Sequence, residues 1–152
     1  MIKFCWPILF VMFISCKSDK SNDENSLAYR DRIRLKQYMI EGKRLYNIYC
    51  NNCHMEEGQG LAELIPPLDR QMLRLTIGES ACIIKYGLKG PWEINGKVYN
   101  QPMPANVGLS NIEIAEILTY VYNEFADTTT IISQHEIAKG LQNCDSADPL
   151  TE

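Results

Sequence analysis

Apolar residues along the chain follow three rhythms. The first is helical. From Gln37 to Cys50, Met39, Ile40, Leu45, Ile48 and Tyr49 make a broadly helical stripe in which Gly42 is the one poor helix former, so a helix is expected to run into Cys50. Ile114, Ile117, Leu118, Val121 and Phe125 recur at helical spacing behind Ser110-Asn111-Ile112-Glu113. That tetrad reads as a capping box, in which the Ser hydroxyl and the Glu carboxylate satisfy the first free N–H groups of a helix over 111–125. Ser133-Gln134-His135-Glu136 repeats the pattern before Ile137 and Leu141 and predicts a short terminal helix ending near Cys144, with His135 a surface or capping residue. Asp69 to Leu75 and Glu79 to Tyr86 each have room for a short helix, separated by Gly78 and stopped by Gly87. The second rhythm is alternation: Trp92 to Tyr99 alternates around Asn95-Gly96, which predicts a small β-hairpin. Between Glu56 and Leu68, Gly58, Gly60, Pro66 and Pro67 interrupt the chain too often for anything but loop.

The third rhythm is an unbroken apolar run. Phe4 to Ile14 follows the charge of Lys3 and precedes Ser15-Cys16, the layout of a secretory signal over residues 1–15. The run is too short for a comfortable membrane span, and Pro7 adds to the doubt. Phe13-Ile14-Ser15-Cys16 resembles a bacterial lipobox, so Cys16 is expected to carry a lipid and become the new N-terminus. An ordinary cleaved signal with an incidental Cys is the competing reading. Lys17 to Asn25 contains no apolar residue and cannot bury enough surface to offset its ordering entropy, so residues 16–36 are expected to be a lipidated, flexible tether. The main domain is then expected over 37–128, followed by a short helix and tail over 129–152.

Composition narrows the function. The 152 residues suffice for one domain with some additional chain. Fifteen Lys+Arg against nineteen Asp+Glu give a net charge of −4 with no basic run, which argues against a nucleic-acid partner.

Six Cys and two His are present, and five residues carry the chemistry: Cys50-Asn51-Asn52-Cys53-His54 matches C-x-x-C-H, the attachment signature for c-type haem. Two Cys at i and i+3 share a helical face, so both sulfurs can form thioethers with the haem vinyl groups, and His54 is then aimed at the iron. Three other uses of the Cys pair are weaker. Zinc lacks the familiar paired spacings, with only Cys82, His135 and Cys144 as further ligands. A thioredoxin-like dithiol expects a preceding strand. A Cys50–Cys53 disulfide leaves His54 unexplained.

An iron on His54 needs a sixth ligand or an open position. Met1 and Met12 leave with the signal, Met55 adjoins His54 and cannot reach the opposite haem face, and Met39 lies upstream in the same helical region. Met72 and Met103 remain. Met103 sits in Gln101-Pro102-Met103-Pro104, whose prolines stiffen the loop, and a His/Met pair is the expected ligand set of a cytochrome c, so Met103 is the expected ligand.

The C-x-x-C-H motif after an amphipathic helix, the Gly-rich segment, Pro66-Pro67-Leu68, and Met103-Pro104 before a capped helix together resemble a class I, mitochondrial-type cytochrome c over residues 37–126. The resemblance implies an all-α cytochrome c fold, here with the β-hairpin as an insert before the Met-ligand loop, and one covalently attached haem c. It also implies that Gly42 with Tyr46 or Tyr49 packs the first helix across the last near Tyr120. Pro66 would accept a hydrogen bond from His54 Nδ1–H, and Leu68 would cover the haem face on that side. The insert resembles that of bacterial cytochromes which work beside respiratory or periplasmic oxidoreductases. Trp92 and Tyr99 could donate to a haem propionate, or simply pack the hairpin on haem or protein.

Subtracting Cys5 of the signal, Cys16 and the haem pair leaves Cys82 and Cys144, which in an exported chain invite a disulfide. The expected function is one-electron transfer between membrane-associated or periplasmic redox partners, on the periplasmic side of a bacterial membrane, with no catalysis. The rival is a haem enzyme or gas sensor with an open or displaceable sixth position.

Overall fold

The computed structural model describes the backbone of residues 20–94 and 96–144, and side chains from residue 28 onward. The signal segment, Cys5 and Cys16 lie outside the described residues. Among the described residues the chain is mostly helical with one two-stranded sheet. Its elements are α1 (Lys20–Tyr49), α2 (Asn51–His54), a 3-10 turn (Met72–Arg74), α3 (Ile77–Tyr86), β1 (Trp92–Ile94), β2 (Lys97–Tyr99), α4 (Asn111–Phe125) and α5 (Gln134–Leu141).

Helix α1 is longer than its apolar stripe suggested. Residues 20–36, expected within a flexible tether, are helical backbone continuous with 37–49. Arg30, Arg32, Arg34, Leu35 and Lys36 are good helix formers, and lack of apolar content does not prevent a segment from extending a helix nucleated next to it. The stripe itself also needs correction. Ile40, Ile48 and Tyr49 are exposed, whereas Gly42, Leu45 and Tyr46 are buried. The inward face is set by the crossing with α4 at Gly42. A Cβ at Gly42 would run into the Glu116 carbonyl and lie 2.7 Å from Tyr120 Cβ. Only a residue without a side chain lets the two backbones meet there. Tyr46, fully buried, then stacks its ring 5.5 Å from both Tyr120 and Phe125, while Tyr49 stays outside.

All three longer helices after α1 begin with a complete capping box. Ser110 with Glu113 and Ser133 with Glu136 start α4 and α5, as their sequences indicate. The third box, Thr76 with Glu79, was not anticipated. It starts α3 at Ile77 and places Gly78 inside the first turn instead of between two helices. Upstream, the expected helix over Asp69–Leu75 reduces to the 3-10 turn, whose first N–H groups bond the Asp69 carboxylate.

The boundary expected near residue 128 does not divide the structure. Ile132 and Ile137 belong to the same buried cluster as Leu45, Tyr46, Ile114, Ile117 and Leu118. Ile132 N–H donates to Thr119 Oγ1 at 3.0 Å, and α5 packs on α3 and α4. The hairpin pairs Trp92 with Tyr99 and Ile94 with Lys97, antiparallel, leaving two residues in the turn. Ile94 and Tyr99 are buried, and Lys97 bridges to Glu63 at 2.8 Å, fastening the hairpin to the loop before Pro66.

Candidate functional site

The end of α1 and the single turn of α2 present the C-x-x-C-H motif. Cys50 leaves helical geometry, and its carbonyl accepts from both Cys53 N–H and His54 N–H, closing the turn that projects His54 inward. Tyr46 Oη donates to the Met55 carbonyl at 2.6 Å, so the buried aromatic of α1 also fastens the residue after His54. Met55 adopts φ 64° and ψ 167°, a conformation costing of order 1–3 kcal/mol for a residue with a side chain. The Tyr46 hydrogen bond and that from Gly58 N–H hold it there.

Two adjoining clefts share His54, Met72, Ile83 and Met103 in their walls. The first also takes in Cys50 and Leu68, with Tyr46, Ile117 and Leu118 behind them. Lining the second are Cys53, Pro66, Trp92, Tyr99 and Pro104. Every residue expected to bind the cofactor therefore faces one bipartite cleft, and the two cysteines open onto its two halves. Cys50 is half-buried and Cys53 exposed, and neither takes part in a disulfide.

His54 is buried, and burial pushes its pKa below the ordinary value, favouring the neutral ring that a metal requires. The Pro66 carbonyl acts against that shift, but the contact falls short of a hydrogen bond: His54 Nδ1 is buried with no hydrogen-bond partner. Burial, and then Cys53, pushes the Cys50 thiol up to about 12.

Met103 is held by more than its flanking prolines. Its N–H donates to the Leu88 carbonyl at 2.9 Å and its carbonyl accepts from Leu88 N–H at 3.0 Å, an isolated antiparallel bridge. Beyond it, Asn106 N–H bonds the Ile84 carbonyl, and Lys85 Nζ reaches the carbonyls of Val107 and Leu109 at 2.7 and 2.6 Å. The Met loop is thus tied to the end of α3. Pairing between positions fifteen residues apart leaves no periodic mark in the sequence, so this anchorage was not legible there. Met72, left beside Met103 by elimination, lines both halves of the cleft.

Cys82 and Cys144 form a disulfide with a Cα separation of 5.5 Å. It joins α3 to the chain just after α5. Among the described residues no three His, Cys, Asp or Glu side chains converge as a metal site, so the zinc alternative has no ligand set.

The sequence profile of the Cytochrome c family matches residues 39–123. The chain belongs to the cytochrome c family. It is 28% identical over 96 residues to cytochrome c-552 of Thermus thermophilus, a match covering 60% of this chain and 72% of that protein. A second cytochrome c-552 of Thermus thermophilus is also 28% identical over 96 residues, covering 60% of this chain and 64% of its own length.

As a cytochrome c, the protein carries covalently attached haem c and transfers electrons; it is not an enzyme. Members of the family work with redox partners and are usually exported. The cleft fits the group on its own evidence. Its walls are overwhelmingly apolar, as a porphyrin face requires, and the buried imidazole that would ligate iron, His54, opens onto both halves. Among the described residues no helix is long and apolar enough to cross a membrane.

Proposed function

We propose that this cytochrome c is a monohaem carrier whose iron is held between His54 and Met103 and whose porphyrin is bonded to Cys50 and Cys53. The observation that carries this reading is the meeting of Cys50, Cys53, His54 and Met103 in one apolar cleft. When bound, haem supplies the one-electron couple. Burial favours the neutral form of the His54 ring, and Pro66 is the acceptor that would orient it once Nδ1–H closes on the carbonyl. The Leu88 bridge holds the Met103 backbone, so little rearrangement of the ligand is needed between oxidation states. A soft thioether favours the reduced metal and raises the potential, as do the apolar walls, which include Leu68. Trp92 and Tyr99, which line the same cleft and each carry one polar tip, suit the haem propionates.

The same reading places a lipid on Cys16 behind a signal over 1–15, and the domain on the periplasmic side of a bacterial membrane. The donors and acceptors are then membrane-associated or periplasmic redox proteins, such as a respiratory complex or an oxidoreductase. Exposure of Cys53 supports their approach at the attachment edge, through the small transient interface usual in redox pairs.

Met103→Ala tests the ligand set. It is expected to keep covalent haem, lose the long-wavelength band of thioether-ligated ferric haem, lower the potential, and open the reduced protein to carbon monoxide. An unchanged band and potential would remove Met103 and point to Met72. Ready carbon monoxide binding by the wild-type protein would favour an open or displaceable sixth position instead.

A further inference from the structure

We propose that the outward face of α1 between Tyr29 and Ile40 docks on an anionic lipid bilayer. The inference extends the reading of Cys16 as a lipid attachment point. Tyr29, Ile33 and Ile40 are 59%, 42% and 62% exposed. At helical spacing they fall on one side of α1, and Gly42 and Tyr46, which meet α4, fall on the other. The helix therefore has two apolar faces, of which α4 covers one.

The uncovered face is bordered by cations. Helical periodicity sets Lys36 and Arg32 along one flank of the Tyr29–Ile33–Ile40 line and Arg30 along the other. None of these three, nor Arg34, makes an ion pair among the described residues. Asp31, the one acidic residue over 28–36, falls on the side that carries Gly42. This stretch is net cationic in a chain whose overall charge is −4. Apolar residues flanked by Lys and Arg on an exposed helix suit the headgroup region of an anionic membrane, where tyrosine also settles readily. A second copy of the chain is the poorer occupant, because pairing this face with itself would bring two cationic rows together.

Position agrees with charge. Lys20 follows Cys16 by four positions, a reach of at most about 14 Å. From Lys20 the helix rises only about 14 Å to Tyr29. A lipid on Cys16 thus keeps the cationic face within reach of the headgroups. With that face down, α4 lies on the far side of α1 and the domain stands away from the lipid.

The test uses holoprotein exported behind a standard cleavable signal and carrying Cys16→Ser, so that no acyl chain contributes, sedimented with vesicles and followed by haem absorbance. Binding to phosphatidylglycerol vesicles but not phosphatidylcholine vesicles is expected, with release at high salt. Arg32→Gln with Lys36→Gln should weaken it by about 30-fold, the worth of two surface-proximal cations. Lys89→Gln with Lys139→Gln makes the same charge change off α1 and should have little effect. Ile33→Ser should weaken binding without changing net charge. Equal binding to both vesicle types, no binding, or equal loss from the two charge pairs would each overturn the proposal. So would lipid-free self-association abolished by Ile33→Ser. Acylation of the wild-type chain is read separately by mass, so failure at Cys16 and failure of the helix face are distinguishable.

Discussion

Gly87 stands against the backbone of Met103: a Cβ there would lie 2.6 Å from the Met103 carbonyl oxygen and 3.0 Å from Ala105 N. Gly87 also has φ 80°, and its N–H closes α3 onto the Ile83 carbonyl. One residue therefore ends a helix and gives the Met loop room to pair with Leu88. Gly87→Ala is expected to destabilise the holoprotein by about 1–3 kcal/mol, through positive φ and overpacking together. It should also weaken the thioether band and lower the potential, readouts that mere loss of helix stability would not move.

The same physical argument applies to Gly42 without consequences for the iron. Adding a methyl group at the α1–α4 crossing meets backbone at Glu116, which cannot swing aside. Gly42→Ala should cost roughly 1–3 kcal/mol or more in denaturant unfolding, despite alanine's better helix propensity, and leave the spectrum of the surviving folded protein unaltered.

Tyr46 is both a core ring and a hydrogen-bond donor, and the two roles separate. Tyr46→Phe keeps the ring contacts with Tyr120 and Phe125 but removes the bond to the Met55 carbonyl, for an expected loss of about 0.5–1.5 kcal/mol. Tyr46→Ala empties the core as well and should cost about 3–5 kcal/mol. Chemical denaturation of the two variants measures both.

The Cys82–Cys144 bridge closes a sequence separation of 62 residues, worth about 4 kcal/mol in the chain-entropy account. Cys82→Ala with Cys144→Ala should lower stability by up to that amount. A thiol reductant should have the same effect on the wild-type protein, because haem thioethers resist it. Native α3–α5 contact should survive, since Gly78 and Gly140 approach so closely that a Cβ at Gly140 would lie 2.5 Å from Gly78 Cα.

Capping predicts a dependence on acid. The Ser110 hydroxyl, then its N–H, hold Glu113 below the ordinary carboxyl value of 4.5; the Ser133 N–H, then its hydroxyl, do so for Glu136. A depressed folded-state pKa adds stability that is fully present above the unfolded value and is lost as pH falls through the folded one. Glu113→Gln with Glu136→Gln should flatten the fall in unfolding midpoint as pH drops through and below the ordinary carboxyl value of 4.5, relative to wild type. An identical slope would show that these carboxylates do not contribute.

Much of the molecule is legible in local sequence because its signals are local. Ser110-Asn111-Ile112-Glu113 marks α4 through atoms three residues apart, and Trp92 to Tyr99 marks the hairpin through alternation about Asn95-Gly96. The haem attachment motif spans only five residues. Gly78 misled because a glycine suited to a break equally suits a helix turn pressed against another glycine, here Gly140. The stripe of α1 misled because Ile40, Ile48 and Tyr49 are apolar without being inward.

The chain's own residues determined its helical class, its capped helix starts and the motif that marks its cofactor, since each depends on groups a few residues apart. Only tertiary structure decided which face of α1 is core and how Leu88 and Gly87 hold Met103. Those outcomes depend on steric contact between segments distant in sequence, and no local periodicity encodes the atom on the other side.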